Sequence, residues 1–207
     1  MTPVKPFEEA LIYQLKITLK GIRPPIWRRI QVAGDAPLSR LHRILQIVMG
    51  WEDYHLHSFS IDRVFYGKPE PGWEMGDRDE KKYTLASVVS AVKEKFLYIY
   101  DFGDDWIHEI LVEKILPPGK EAKYPVCLAG KRACPPENSG GVWGYAHMLK
   151  IVQDPKHEEY ESLIEWLGDE FDAETFEQEK INAKLRKMKR QKEPKNVVTP
   201  SHLCTTR

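Results

Sequence analysis

The chain has 207 residues, of which 42% are hydrophobic and 30% charged, enough for one domain with its own core and unlike a disordered or fibrous chain. Its formal net charge is zero, which excludes a uniformly basic nucleic-acid binder, yet residues 184–207 carry +7 and residues 1–50 carry +5. No apolar run approaches the ~20 residues of a membrane helix, and the N-terminus has no charged-then-apolar signal pattern. With three dispersed cysteines rather than a disulfide framework, a reducing, cytoplasmic setting with no membrane contact is expected.

Residues 12–20 alternate Tyr13, Leu15, Ile17 and Leu19 with Gln14, Lys16, Thr18 and Lys20, the period-two pattern of a strand with one covered face. Gly21 ends it, and Arg23-Pro24-Pro25 makes a stiff connection to a second strand over 26–32. There Arg28 shares a face with Ile26, Ile30 and Val32; its stem is expected to lie on the core while its head escapes to water. Residues 38–49 change to helical spacing, with Leu38, Leu41, Ile44, Leu45 and Val48 on one stripe, Gly50 as the stop, and Arg40, His42, Arg43 and Gln46 on a solvated face.

A third strand is predicted over 55–63, with His55, His57, Phe59 and Ile61 on one side. Residues 67–82 form a polar excursion suited to a mobile lid, and 85–92 a short helix capped by Thr84. Strands over 96–102 and 106–115 make a hairpin whose turn, Gly103-Asp104-Asp105, tolerates positive φ; alternation sets Asp101 opposite the aromatics. Residues 124–141 are too rich in Pro and Gly for regular structure, and long ordered loops are often functional. Three helices follow: one from about Val142 with Tyr145, Met148, Leu149 and Val152 inward, one after Asp154-Pro155 stopping at Gly168, and one over 173–188 capped by Asp172. The expected organisation is an extension at 1–11, one α+β domain over 12–192, with an antiparallel or mixed sheet covered by helices and a helical C-terminal segment, and a disordered tail at 193–207.

Four chemistries compete for the polar residues. His55, His57, His108, Cys127, Cys134 and Asp101 are candidate ligands for zinc, the two strand histidines lying roughly 7 Å apart by the strand rise. Cys127 and Cys134, however, lack the close CxxC spacing of a zinc knuckle, and there is no HExxH. Asp104 and Asp105 with His108 and Glu109 are candidates for general acid–base catalysis, because a carboxylate can orient an imidazole and raise its basicity. Cys134 beside Pro135-Pro136 is a candidate nucleophile if its thiol is acidified. Lys184, Arg186, Lys187, Lys189, Arg190 and Lys192 form an acid-free run suited to phosphate contacts, or to a solvated helix end. No phosphate-binding, dinucleotide or GxSxG motif is present.

Five stretches together carry a family resemblance: YQLKITLKGIRPPIWRRI, LSRLHRILQIVMGWEDYHLHSF, YIYDFGDDWIHEI, YPVCLAGKRACPPENSGGVWGY and EWLGDEFDAETF. The chain resembles the plasmid pRiA4b ORF-3-like family, which includes insertion-element passenger proteins, from about residue 12 to about 182. Asn138 stands where the family more often has aspartate. The resemblance implies an α+β domain without an established biochemical activity, and a mobile-element accessory role by association. The leading expectation is therefore a non-enzymatic binding or accessory protein, with nucleic acid as first partner and its small-molecule ligand open. The alternative is a zinc-dependent hydrolase using His55, His57 and His108. A cleft edged by His55, Asp101, residues 104–108 and residues 127–141 is expected in either case.

Overall fold

Strand alternation and helical stripes resolve into one mixed sheet with helices against it. The structure is a computed structural model that describes residues 10–69, 78–120, 122–168 and 171–188. Its strands are β1 (Ile12–Leu19), β2 (Trp27–Ala33), β3 (His57–Ile61), β4 (Val64–Gly67), β5 (Arg78–Asp79), β6 (Lys95–Tyr100), β7 (Trp106–Leu116) and β8 (Val126–Lys131). They lie in the order β5-β4-β3-β6-β7-β1-β2-β8, antiparallel throughout except for the parallel β4–β5 pair. The helices are α1 (Leu38–Met49), α2 (Leu85–Val88), α3 (Gly141–Val152), α4 (Tyr160–Leu167) and α5 (Gln178–Lys187).

Cross-strand register builds one covered face. Leu19, His108 and Tyr98 face one another across β1, β7 and β6, and Arg28, Ile17, Ile110 and Phe96 form the next row. Against this face α1 sets Leu38, Leu41, Ile44, Leu45 and Val48, all without solvent exposure. Gly50 ends α1 in the left-handed region at φ 98, where a side chain would be strained, and its N–H closes on the Gln46 carbonyl. The opposite face is half-buried and mixed, with Lys16, Thr18 and Glu109 beside Leu97, Ile99, Ile107 and Leu111. A bulge between Gln14 and Leu15 swings Glu113 out of register, so that its carboxylate takes both Arg29 N–H groups, at 2.6 and 2.8 Å, and the Gln14 amide.

Several expectations are corrected by packing. The segment at 124–141 is not wholly irregular: β8 pairs along β2, because alternate residues of 126–131 continue the ladder before Pro135-Pro136 ends it. His55 lies outside β3, which starts at His57, and β4 and β5 pair beyond it, so part of the presumed excursion is sheet. Residues 70–77 of the lid expected over 67–82 lie outside the described residues. The first hairpin strand stops at Tyr100; Asp101, not Gly103, turns the chain with φ 55, and Asp105 repeats this at φ 54. Asp101 therefore follows no strand alternation. Its Oδ1 accepts from the Gly103 and Asp104 amides and holds the turn.

Three of the helices are also shorter than expected. The second spans only Leu85–Val88, with no bond from the Thr84 side chain to a capping amide. Residues 154–159 form turns before α4, and Asp172 caps a local turn through Glu174 N and Thr175 rather than the start of α5. In α3 it is Ile151, not Val152, that joins Tyr145 and Met148 in the interior, while Leu149 is half-buried. His42 and Gln46 are buried rather than solvated, since loop 50–56 and β6 close over that side of α1. Arg28 is only 2% exposed, its head enclosed instead of escaping.

Candidate functional site

β6 organises the polar interior, because its alternation sends both Tyr98 and Tyr100 to the covered face. The Tyr98 hydroxyl accepts from the Gln46 amide and donates to His42 Nδ1, 2.8 Å away; His42 Nε2 then donates to Asp53 at 2.8 Å. Burial pushes the His42 imidazole below its ordinary pKa, its bond to Asp53 opposing the shift, and that bond holds the Asp53 carboxyl low. His57 stacks on His42 with ring centroids 3.4 Å apart and planes 2° from parallel, and donates to Glu80 at 2.8 Å. Among the described residues the metal-competent group is His42, Asp53 and His57, with ligand atoms mutually within 4.8 Å. Parallel rings do not aim their in-plane lone pairs at one ion with the 2.0–2.1 Å bonds of zinc, so one imidazole must turn before ligation.

Tyr100 anchors the second cluster. Its hydroxyl donates to Glu137 at 2.9 Å and accepts from Tyr54 N, and the Glu52 amide also reaches Glu137. His55 Nε2 lies 3.4 Å from Asp101 Oδ2 and 3.9 Å from Glu137 Oε2. Asp104 accepts from the Gly140 amide, which pins loop 133–140 against the hairpin turn. His55, Asp101, Asp104 and that loop thus share one cleft. His57 belongs to the other cluster. His108 lies wholly buried beside the Trp51 ring, its Nδ1 donating to the Tyr98 carbonyl and its Nε2 without a partner among the described residues. Burial holds its pKa at about 4.

The remaining candidates disperse. Glu109 faces away from His108 and pairs with Lys95 at 3.0 Å, while Asp105 serves the turn. No three of His55, His57, Asp101, His108, Cys127 and Cys134 form a metal-competent group among the described residues. The Cys127 thiol contacts the Ala129 carbonyl and Cys134 contacts Met49 sulfur; burial pushes the first up and the second to about 11, the opposite of an activated nucleophile. His42, Asp53, Glu80 and Glu137 were missed as site residues. His42 and Asp53 carried a sequence signal, since a histidine on the helix that precedes an acidic Trp-Glu-Asp-Tyr loop can fold back on it.

On the outer end of the sheet, α5 is clamped to β8. Asn182 accepts from the Cys127 amide at 2.8 Å and donates to its carbonyl at 2.9 Å, and Leu185 is buried beside it. Lys184, Arg186 and Lys187 are exposed; Lys189, Arg190 and Lys192 lie outside the described residues. Between α1, α4 and α5 opens a cavity of about 690 Å³, within the range of small-molecule sites. No helix among the described residues is long and apolar enough to cross a membrane.

The chain is similar to proteins from other organisms. A crystal structure of a protein of unknown function, MM3350 from Methanosarcina mazei Go1, superposes with a TM-score of 0.77 at 44% identity, covering 83% of this chain and 97% of that one. The uncharacterized protein y4hQ of Sinorhizobium fredii (strain NBRC 101917 / NGR234) is 40% identical over 161 residues, 77% of this chain and 82% of the relative. The family described as plasmid pRiA4b ORF-3-like protein matches residues 11–180, which include the sheet, both polar clusters and most of the cavity wall. By that match and by the shared fold, the chain belongs to the plasmid pRiA4b ORF-3-like protein family.

Proposed function

We propose that the protein is a non-enzymatic binding or accessory protein that contacts nucleic acid through the exposed basic side of α5. The observation that carries this reading is the clamp of Asn182 and Leu185 on β8, which fixes α5 and leaves Lys184, Arg186 and Lys187 exposed. Such a group adds salt-sensitive, sequence-independent affinity for phosphates. The family match ends at residue 180, so this basic stretch lies beyond the matched residues. A non-enzymatic role accords with the polar residues: Asp104, Glu109 and Cys134 each have a structural partner, and no two of them share a reacting geometry with His108.

The test is anisotropy of a labelled 20-base-pair duplex and a 20-nucleotide RNA titrated from about 50 to 200 mM salt. Wild-type protein binds at low salt, and the Lys184→Glu, Arg186→Glu, Lys187→Glu triple variant loses at least tenfold in affinity. No low-salt binding, or an unchanged triple variant, removes the proposal.

A zinc-dependent hydrolase is the second reading, favoured by the proximity of His42, Asp53 and His57. The residues that would hold zinc are these three, in place of the trio His55, His57 and His108 suggested by strand alternation. The ring stack opposes it, and we expect elemental analysis of purified protein to find no stoichiometric zinc. One equivalent per chain, lost in Asp53→Asn, would reverse the order of the two readings.

A further inference from the structure

Arg28 lies on the covered face with no opposite charge beside it among the described residues. Its Nε donates to the Val48 carbonyl at 2.7 Å, and Nη1 donates to the carbonyls of Trp27 and Lys131 at 2.9 and 3.0 Å. Nη2 reaches only the Cys134 sulfur, at 3.4 Å, a weak acceptor. A guanidinium has five N–H donors, so one Nη2 hydrogen is left over. Among the described residues no carboxylate comes within 4.0 Å of Arg28, although it is 2% exposed. Buried charges are ordinarily paired, because desolvating a lone ion costs several kcal/mol.

That unmatched cation lines the 690 Å³ cavity. Trp51, Leu167, Phe171, Phe176 and Ile181 supply apolar wall, and Phe176 lies under the guanidinium with its ring centre 4.8 Å from Cζ. Two carboxylates also border the space: Glu177 pairs with Lys180 at 2.6 Å, and Glu137 Oε1 accepts from the Tyr100 hydroxyl and the Glu52 backbone amide, while its buried Oε2 has no hydrogen-bond partner among the described residues and lies 3.9 Å from His55 Nε2. Lys184 stands at the α5 side.

We propose that this cavity binds a small organic anion, an apolar body with one carboxylate, whose charge completes Arg28. The apolar part packs against Trp51, Phe171 and Phe176, and the carboxylate takes the free Nη2 hydrogen. This site does not rest on the nucleic-acid reading, although Lys184 borders both, and it lies almost wholly within the family match.

Isothermal titration with three probes of equal tail tests it: decanoate, decanol and decyltrimethylammonium. Decanoate binds saturably and at least tenfold more tightly than decanol, while the cationic probe shows no saturable binding. Arg28→Gln, checked for folding by circular dichroism, removes the preference for decanoate over decanol. Arg29→Gln, on the opposite face of the sheet, keeps that preference. Leu167→Trp fills the cavity from α4, a helix with no fully buried residue, so it folds and loses decanoate binding even if Arg28→Gln does not fold. Absence of saturable decanoate binding, equal affinity for decanol, an unchanged Leu167→Trp variant, or loss of the preference in Arg29→Gln would each overturn the assignment.

Discussion

Arg28 and Arg29 are neighbours on β2 and obey opposite rules. Arg29 faces the open side of the sheet, where a bulge delivers Glu113 and the pair stays partly wet, with 32% and 18% side-chain exposure. Arg28 faces the covered side, where three backbone carbonyls and a thiol surround it and no carboxylate does. Water makes the first pair weak, and its absence makes the second arginine's hydrogen bonds expensive to lose. The same contrast separates His108 and Asn182, enclosed, from half-buried Glu109 and exposed Lys95.

The largest effect is expected at Arg28. Arg28→Leu leaves the carbonyls of Trp27, Val48 and Lys131 without their donor in a dry setting, a loss of about 3 kcal/mol or more by urea unfolding. A loss below about 1 kcal/mol would mean that water reaches these carbonyls, and the contrast with Arg29 would collapse.

Next comes the pH response of the covered face. His108 is held at about 4 by burial, against 6.5 ordinarily, so between those values the unfolded chain takes a proton that the folded chain refuses. Stability is therefore full above pH 6.5 and falls as pH drops toward 4, by about 3 kcal/mol from this group. His42, also lowered by burial, adds to the slope in the same direction. Stability measured from pH 7 to 4.5 should flatten in His108→Phe, with the His42 share remaining; an unaltered slope would show that His108 is hydrated.

Asn182→Ala removes both bonds to Cys127 and should cost about 2 kcal/mol, with hydrogen exchange in α5 accelerating before the sheet's. Uniform acceleration would mean that α5 and the sheet open together. The smallest effect is on the open face: a double-mutant cycle of Arg29→Gln and Glu113→Gln should give about 0.5–1 kcal/mol, shrinking in high salt. The bond from Arg29 holds the Glu113 carboxyl below its ordinary pKa, so this contribution is present above the usual glutamate range and lost as pH falls beneath it. A coupling as large as the Arg28 effect would erase the distinction between the faces.

Much of the fold was legible because its signals are local. The alternation in β1, the helical stripe and glycine stop of α1, and the two strands of the β6–β7 hairpin all appear where residue spacing places them, within a residue or two. β8 was hidden because its pairing partner, β2, is distant in sequence and its flanking prolines read as loop. Of the expected cleft, His55, Asp101 and Asp104 do come together with the loop after β8. His57 and His108 leave that group for different neighbours, since a strand position fixes a side chain's face but not what the opposing helix and loop bring to it.

The sequence by itself determined an α+β fold of the plasmid pRiA4b ORF-3-like family, the periodicities that build it, and the uneven charge that leaves a basic C-terminal end. Only the tertiary structure decided which polar groups lie in the dark. Tyr98 gathers His42 and Gln46 from α1 across more than fifty positions of chain, and Arg28 meets Cys134 and Lys131 across more than a hundred. Desolvation depends on everything packed around a group, so no window of sequence around Arg28 could show that its charge would be enclosed, unmatched, at the wall of a cavity.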